Sequence, residues 1–133
     1  MNYLNEVLRT ERADYTGVID RFAFGTSAKL MHAAMGICTE SGEFMDAMKK
    51  YLIYGKLRDR TNLIEELGDL CWYMALACDV LDTNFAHVQH VNIEKLKARY
   101  PDGWSAEQAL SRDVAGEAAV LQKETEDEQT TTT

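Results

Sequence analysis

The chain has 133 residues, 46% of them hydrophobic, and its 22 acidic against 14 basic side chains leave a net charge of −8. That length suits one domain with a single core. Its apolar residues are too interrupted for a membrane span, and the negative charge argues against a nucleic-acid polymer as partner. The opening MNYLNEVLRTER lacks the charged-then-apolar order of a signal peptide. Cys38, Cys71 and Cys78 are odd in number, form no C-x-x-C and sit inside apolar runs, which predicts buried, reduced thiols and a cytoplasmic location.

Taken in order, residues 2–12 hold Leu4, Val7 and Leu8 at helical spacing, a short first helix. Residues 14–25 are ambiguous, punctuated by Gly17 and Gly25. Residues 27–54 contain no proline, and Leu30, Ala34, Ile37, Phe44, Met48 and Leu52 form a helical stripe that Gly55 is placed to end. A basic connector follows, at 56–60. Asn62 with Glu65 resembles a capping box opening the next helix, which runs to about Leu81 and is apolar on most faces. Asp82, Thr83 and Asn84 offer a cap for a helix over 85–99, stopped by Pro101 and Asp102-Gly103. Ser105 and Gln108 fit another capping box, for a short helix to about Asp113. Residues 114–133 hold five acids and one lysine, and their composition predicts a disordered acidic tail. With no strand alternation, the fold class is all-α: one helical domain over 1–113, then the tail.

Two acidic pairs stand out, Glu40/Glu43 in E-S-G-E and Glu66/Asp69 in E-L-G-D. A spacing of three puts both acids of a pair on one helical face. A solvated face accounts for most charged residues in helices, yet the second helix has little polar surface after Asp69. Isolated buried carboxylates would cost several kcal/mol or become neutral. A divalent cation removes that problem, and all-oxygen ligation points to Mg2+ or Mn2+. The Glu-x-x-His motif of di-iron bundles is missing. Gly42 and Gly68, each between the acids of its pair, cost about 1 kcal/mol in a helix relative to alanine, which predicts a close approach of backbone or ligand there. Ala33, Gly36 and Ala47 share the face of Glu40 and Glu43 and clear space beside them. Lys49, Lys50, Lys56, Arg58 and Arg60 lie between the two acidic helices, and Asn92, Lys95 and Arg99 recur at helical spacing further on. Metal-binding acids with nearby cations are the parts list of phosphoryl chemistry.

The ordered set T-E-S-G-E-F-M-D-A at 39–47, E-E-L-G-D-L-C-W-Y-M at 65–74 and N-I-E-K-L-K-A-R-Y-P-D-G-W at 92–104 resembles the MazG-type all-α nucleoside triphosphate pyrophosphohydrolases, over about residues 27–113. The resemblance implies a four-helix core that assembles as a homodimer or homotetramer and hydrolyses a (d)NTP to the monophosphate and pyrophosphate. Glu40, Glu43, Glu66 and Asp69 would match the family's Mg2+ ligands. Lys95 and Arg99 would match residues that hold the phosphates, joined by Lys56; Tyr73 resembles a position lining the nucleotide pocket, and Asn92 one contacting the nucleotide. Two other readings keep the fold: a non-catalytic metal- or nucleotide-binding regulator, and a pyrophosphohydrolase acting on another nucleotide such as phosphoribosyl-ATP. A third reading is a purely structural helical bundle.

Overall fold

A computed structural model of the chain describes residues 3–131, so Asn2 of the expected first helix and the last two residues of the expected tail lie outside it. All regular structure among the described residues is helical: α1 (Tyr3–Thr10), α2 (Thr16–Phe22), α3 (Gly25–Leu52), α4 (Arg60–Val80), α5 (Phe85–Arg99), α6 (Ala106–Leu110) and α7 (Val114–Thr131). The all-α expectation holds. Contacts group the chain into two compact units, Met1–Leu81 and Asp82–Thr133.

In the first unit α3 and α4 pack as an antiparallel hairpin, with α2 against α3. The seam between α3 and α4 is built from small residues. Ala33 is fully buried and Gly36 is buried beside it. A Cβ on Gly36 would overlap the ring of Tyr73, so only glycine lets α4 approach here. The large apolar residues of the expected stripe do not form this seam: Leu30 and Leu52 are exposed. Gly55, at φ +66°, ends the stretch after α3, and the Lys56 N–H donates to the Lys50 carbonyl at 3.1 Å. The start of α4 also differs from expectation. Its cap is Asp59, whose side chain accepts from the Asn62 N–H at 3.0 Å. Asn62 therefore lies within the first turn, where its side chain is available for another role.

In the second unit the expected caps hold. Asn84 accepts from the His87 N–H at 3.1 Å, and Ser105 Oγ from the Gln108 N–H at 3.1 Å. The acidic C-terminal stretch, expected to be disordered, forms α7 and packs antiparallel on α5. Two causes outweigh its composition. After Gly116 it contains no glycine or proline and is rich in Ala, Glu and Gln, good helix formers. It also carries Glu117, only 5% exposed, which is gripped by two arginines. Arg99 donates from Nε at 2.8 Å and from Nη2 at 2.5 Å, and Arg112 from Nη2 at 2.7 Å. Farther along, His90 Nε2 lies 3.0 Å from Glu124 Oε2.

Little apolar surface is buried. Among the described residues Ala33 and Val91 (8% exposed) are the buried apolar side chains, while Met35, Met45, Leu52, Ile53, Leu57, Leu67 and Trp72 are at least half exposed. The cysteines follow this pattern: Cys38 and Cys71 are exposed and Cys78 half-buried, all free, which corrects the expectation of buried thiols. They lie on the outward sides of helices that a single hairpin leaves uncovered. No helix among the described residues is long and apolar enough to cross a membrane.

The two arginines hold the Glu117 carboxyl at a pKa of about 2, Arg99 contributing most and Arg112 next. A carboxyl depressed in the folded state stabilises it above the unfolded value near 4.5, and that contribution is lost as pH falls toward 2. Glu117→Gln is expected to lower the Tm of the chain by about 5 °C at neutral pH. In melts from pH 7 to pH 2 that deficit should stay constant to about pH 5 and shrink below it; a deficit unchanged at pH 2 would contradict the assignment.

Candidate functional site

The α3–α4 seam brings acids together one turn beyond its small residues. Glu40 and Glu43 on α3 and Glu66 on α4 each offer a carboxylate oxygen, and these atoms lie within 4.8 Å of one another. Helix geometry explains the convergence. Residues 33, 36, 40 and 43 follow one stripe of α3, residues 66, 69 and 73 one stripe of α4, and the antiparallel pairing that sets Gly36 against Tyr73 sets Glu43 against Glu66. The three acids differ in depth: Glu66 is 5% exposed, Glu40 half-buried and Glu43 exposed. They form a small cup with its floor on α4 and its rim on α3.

The floor is oriented by a residue that sequence reasoning assigned elsewhere. Asn62 Nδ2 donates to Glu66 Oε1 at 2.7 Å, one helical turn away. An i, i+4 Asn–Glu spacing ahead of the acidic motif was the available signal, and the capping-box pattern concealed it. At the rim, Thr39 Oγ1 donates to Glu40 Oε1 at 3.2 Å and to the Gly36 carbonyl at 3.0 Å.

Among the described residues no lysine or arginine forms a salt bridge with Glu40, Glu43 or Glu66. Ionised carboxylates within 4.8 Å of one another repel. One is buried, which adds to the cost. Three hard oxygen donors converging from two rigid helices fit a divalent cation of the Mg2+ or Mn2+ type.

The other expected site residues fall in several places. Asp69 is exposed on α4, one turn beyond Glu66, and is not part of the three-acid cluster. Tyr73 is half-buried against Gly36. Lys56 is exposed just after Gly55. Of its neighbours, Lys50 pairs with Asp46 at 2.7 Å, and Lys49 Nζ stands 5.5 Å from the centre of the Tyr54 ring. Asn92, Lys95 and Arg99 belong to the second unit. There Lys95 Nζ donates to Asn92 Oδ1 at 2.7 Å, while Arg99 is committed to Glu117. The glycine prediction is only half met. A Cβ at Gly42 or Gly68 would meet nothing within 4 Å, so neither accommodates a close approach within this chain; Gly36 does.

Comparison with known proteins identifies the family. The MazG nucleotide pyrophosphohydrolase domain matches residues 29–104, a span that includes all four acids. The chain is also similar to the Gene 37 protein of Mycobacterium phage L5, 32% identical over 83 residues, covering 56% of this chain and 68% of that one. No solved structure matches significantly. With a family match over more than half its length and an all-helical fold, the chain belongs to the MazG nucleotide pyrophosphohydrolase domain family.

Proposed function

We propose that the chain hydrolyses a nucleoside triphosphate, of the (d)NTP class, to the monophosphate and pyrophosphate in a Mg2+-dependent reaction. The observation that carries this reading is the convergence of Glu40, Glu43 and Glu66 within the stretch that matches the family. In this reading the three carboxylates hold the cation, and Asp69 joins them from the next turn of α4. When bound, Mg2+ would supply neutralisation of the triphosphate charge and acidification of a water.

The chain's own residues have distinct tasks. Glu66, fixed by Asn62, keeps its oxygens in one orientation and needs no reorganisation on ligand binding. Glu43, exposed at the rim, is the carboxylate best placed to accept a proton from an attacking water. Lys56, which makes no ion pair among the described residues, is a phosphate contact reachable from solvent. Lys95, Asn92 and Arg99 are proposed phosphate or nucleotide contacts on the family resemblance. For Arg99 this means its remaining donors, since Nε and one Nη2 proton are taken by Glu117. Free thiols suit a reducing cytoplasm, where nucleotide pools are found.

Association belongs to the same proposal. A chain whose large apolar side chains are this exposed gains by burying them against another copy. The expected state is a homodimer or homotetramer. Multi-angle light scattering at micromolar concentration should return at least twice the 15.1 kDa chain mass; a stable monomer would contradict it.

Pyrophosphate release from a panel of standard and modified dNTPs, with and without Mg2+, tests the activity. Activity is expected with at least one member and only with the metal. Glu66→Gln and Glu43→Gln are each expected to lower kcat by about 100-fold or more while preserving the helical signal. Full activity in both variants would remove the acids from the reaction.

A further inference from the structure

The seam has a direction that the acids alone do not give it. On α3, His32, Gly36, Glu43 and Lys50 are spaced by four, seven and seven residues, which keeps them within a narrow angular range on one helical line. On α4, Asp69 and Trp72 are three apart and share a face. At the end of the hairpin away from the lysines, three rings meet. Trp72 and Tyr73 lie edge to face at 4.9 Å, His32 and Tyr73 at 5.6 Å, and His32 and Trp72 at 6.4 Å. Cations therefore lie toward one end of the acidic cup and aromatic rings toward the other.

The aromatic end is not a packed core. Tyr73 is wedged against Gly36 and cannot move without shifting the helices. Trp72, held edge-on by it, is 57% exposed, and His32 is exposed as well. The open indole offers a flat apolar face on which a planar ring can stack. Trp72 lies about 5 Å of helix rise from Asp69, the acid that the proposed reading adds to the cation site.

We infer that Trp72 and His32 form the stacking surface for the nucleotide base, so that the substrate lies along the seam with its base at the aromatic end and its terminal phosphates toward Lys50 and Lys56. This rests on the nucleoside triphosphate reading above and adds to it a direction of binding, a stacking residue in Trp72 and a specificity-determining residue in His32. Aromatic stacking tolerates any base, because every base has a π-face. The imidazole edge of His32 adds a hydrogen-bonding group that can distinguish one base from another.

A binding measurement separates this inference from turnover. Calorimetric titrations would use the full chain with Mg2+, α,β-imido analogues of the four standard dNTPs, and inorganic tripolyphosphate, which has no base. Trp72→Ala is expected to weaken the best-bound analogue roughly tenfold or more and to leave tripolyphosphate within about twofold, with Trp72→Phe restoring most of the loss. His32→Ala should change the ranking among the four analogues. Equal losses for analogue and tripolyphosphate, or a change of oligomeric mass in Trp72→Ala, would assign Trp72 to folding or to a subunit interface and overturn the inference. So would unchanged affinity for every analogue, or failure of the wild type to bind any. Normal base-dependent binding without pyrophosphate release would instead sink the hydrolytic reading and leave this one standing.

Discussion

The close approach of α3 to α4 is the constraint from which the site follows. Ala33 and Gly36 give the two helices a seam with almost no side-chain volume, and Tyr73 fills the one space that Gly36 leaves. One turn further, the same short distance brings Glu40, Glu43 and Glu66 together, with no salt bridge to a lysine or arginine among the described residues. Larger residues at 33 or 36 would separate the helices and relax the acids. Seam packing thus sets how much unfavourable charge is stored, and that stored charge is what a cation would relieve.

The second unit uses the opposite solution for a buried carboxylate. Glu117 is as deeply placed as Glu66, but it receives two arginines, and its ionised form is strongly favoured. Glu66 receives a single amide from Asn62. A buried acid with two cationic partners is a structural anchor, here tying α7 to α5. One with a neutral partner and two acidic neighbours has the make-up of a candidate cation ligand. The two buried acids of this chain thus differ in their partners rather than in their burial.

Much of this was legible in the sequence, for reasons that depend on the residue. The acid spacing, the small residues at 33, 36 and 47, and the caps at Asn84 and Ser105 are local patterns with a direct geometric meaning. Other features needed three dimensions. The Asp59 cap was hidden because Asn62 and Glu65 offered an equally good local pattern. The order in α7 was hidden because it depends on Arg99 and Arg112 rather than on the composition of the tail. Within this chain the close backbone approach is at Gly36 rather than at Gly42 or Gly68, because it depends on where α4 crosses α3 and not on the acidic motif. The exposed cysteines show the limit of reading apolar runs as core when one chain has too few helices to cover them.

The central claim is that the α3–α4 acids hold a divalent cation. Electron paramagnetic resonance of Mn2+ titrated into the nucleotide-free protein tests it most directly, since the signal of free aqueous Mn2+ falls as the ion is bound. The account predicts saturable loss of the free signal, reversal by excess Mg2+, and affinity weakened about tenfold or more in Glu66→Gln. Equal Mn2+ binding by wild type and Glu66→Gln, or none by the wild type, would contradict it.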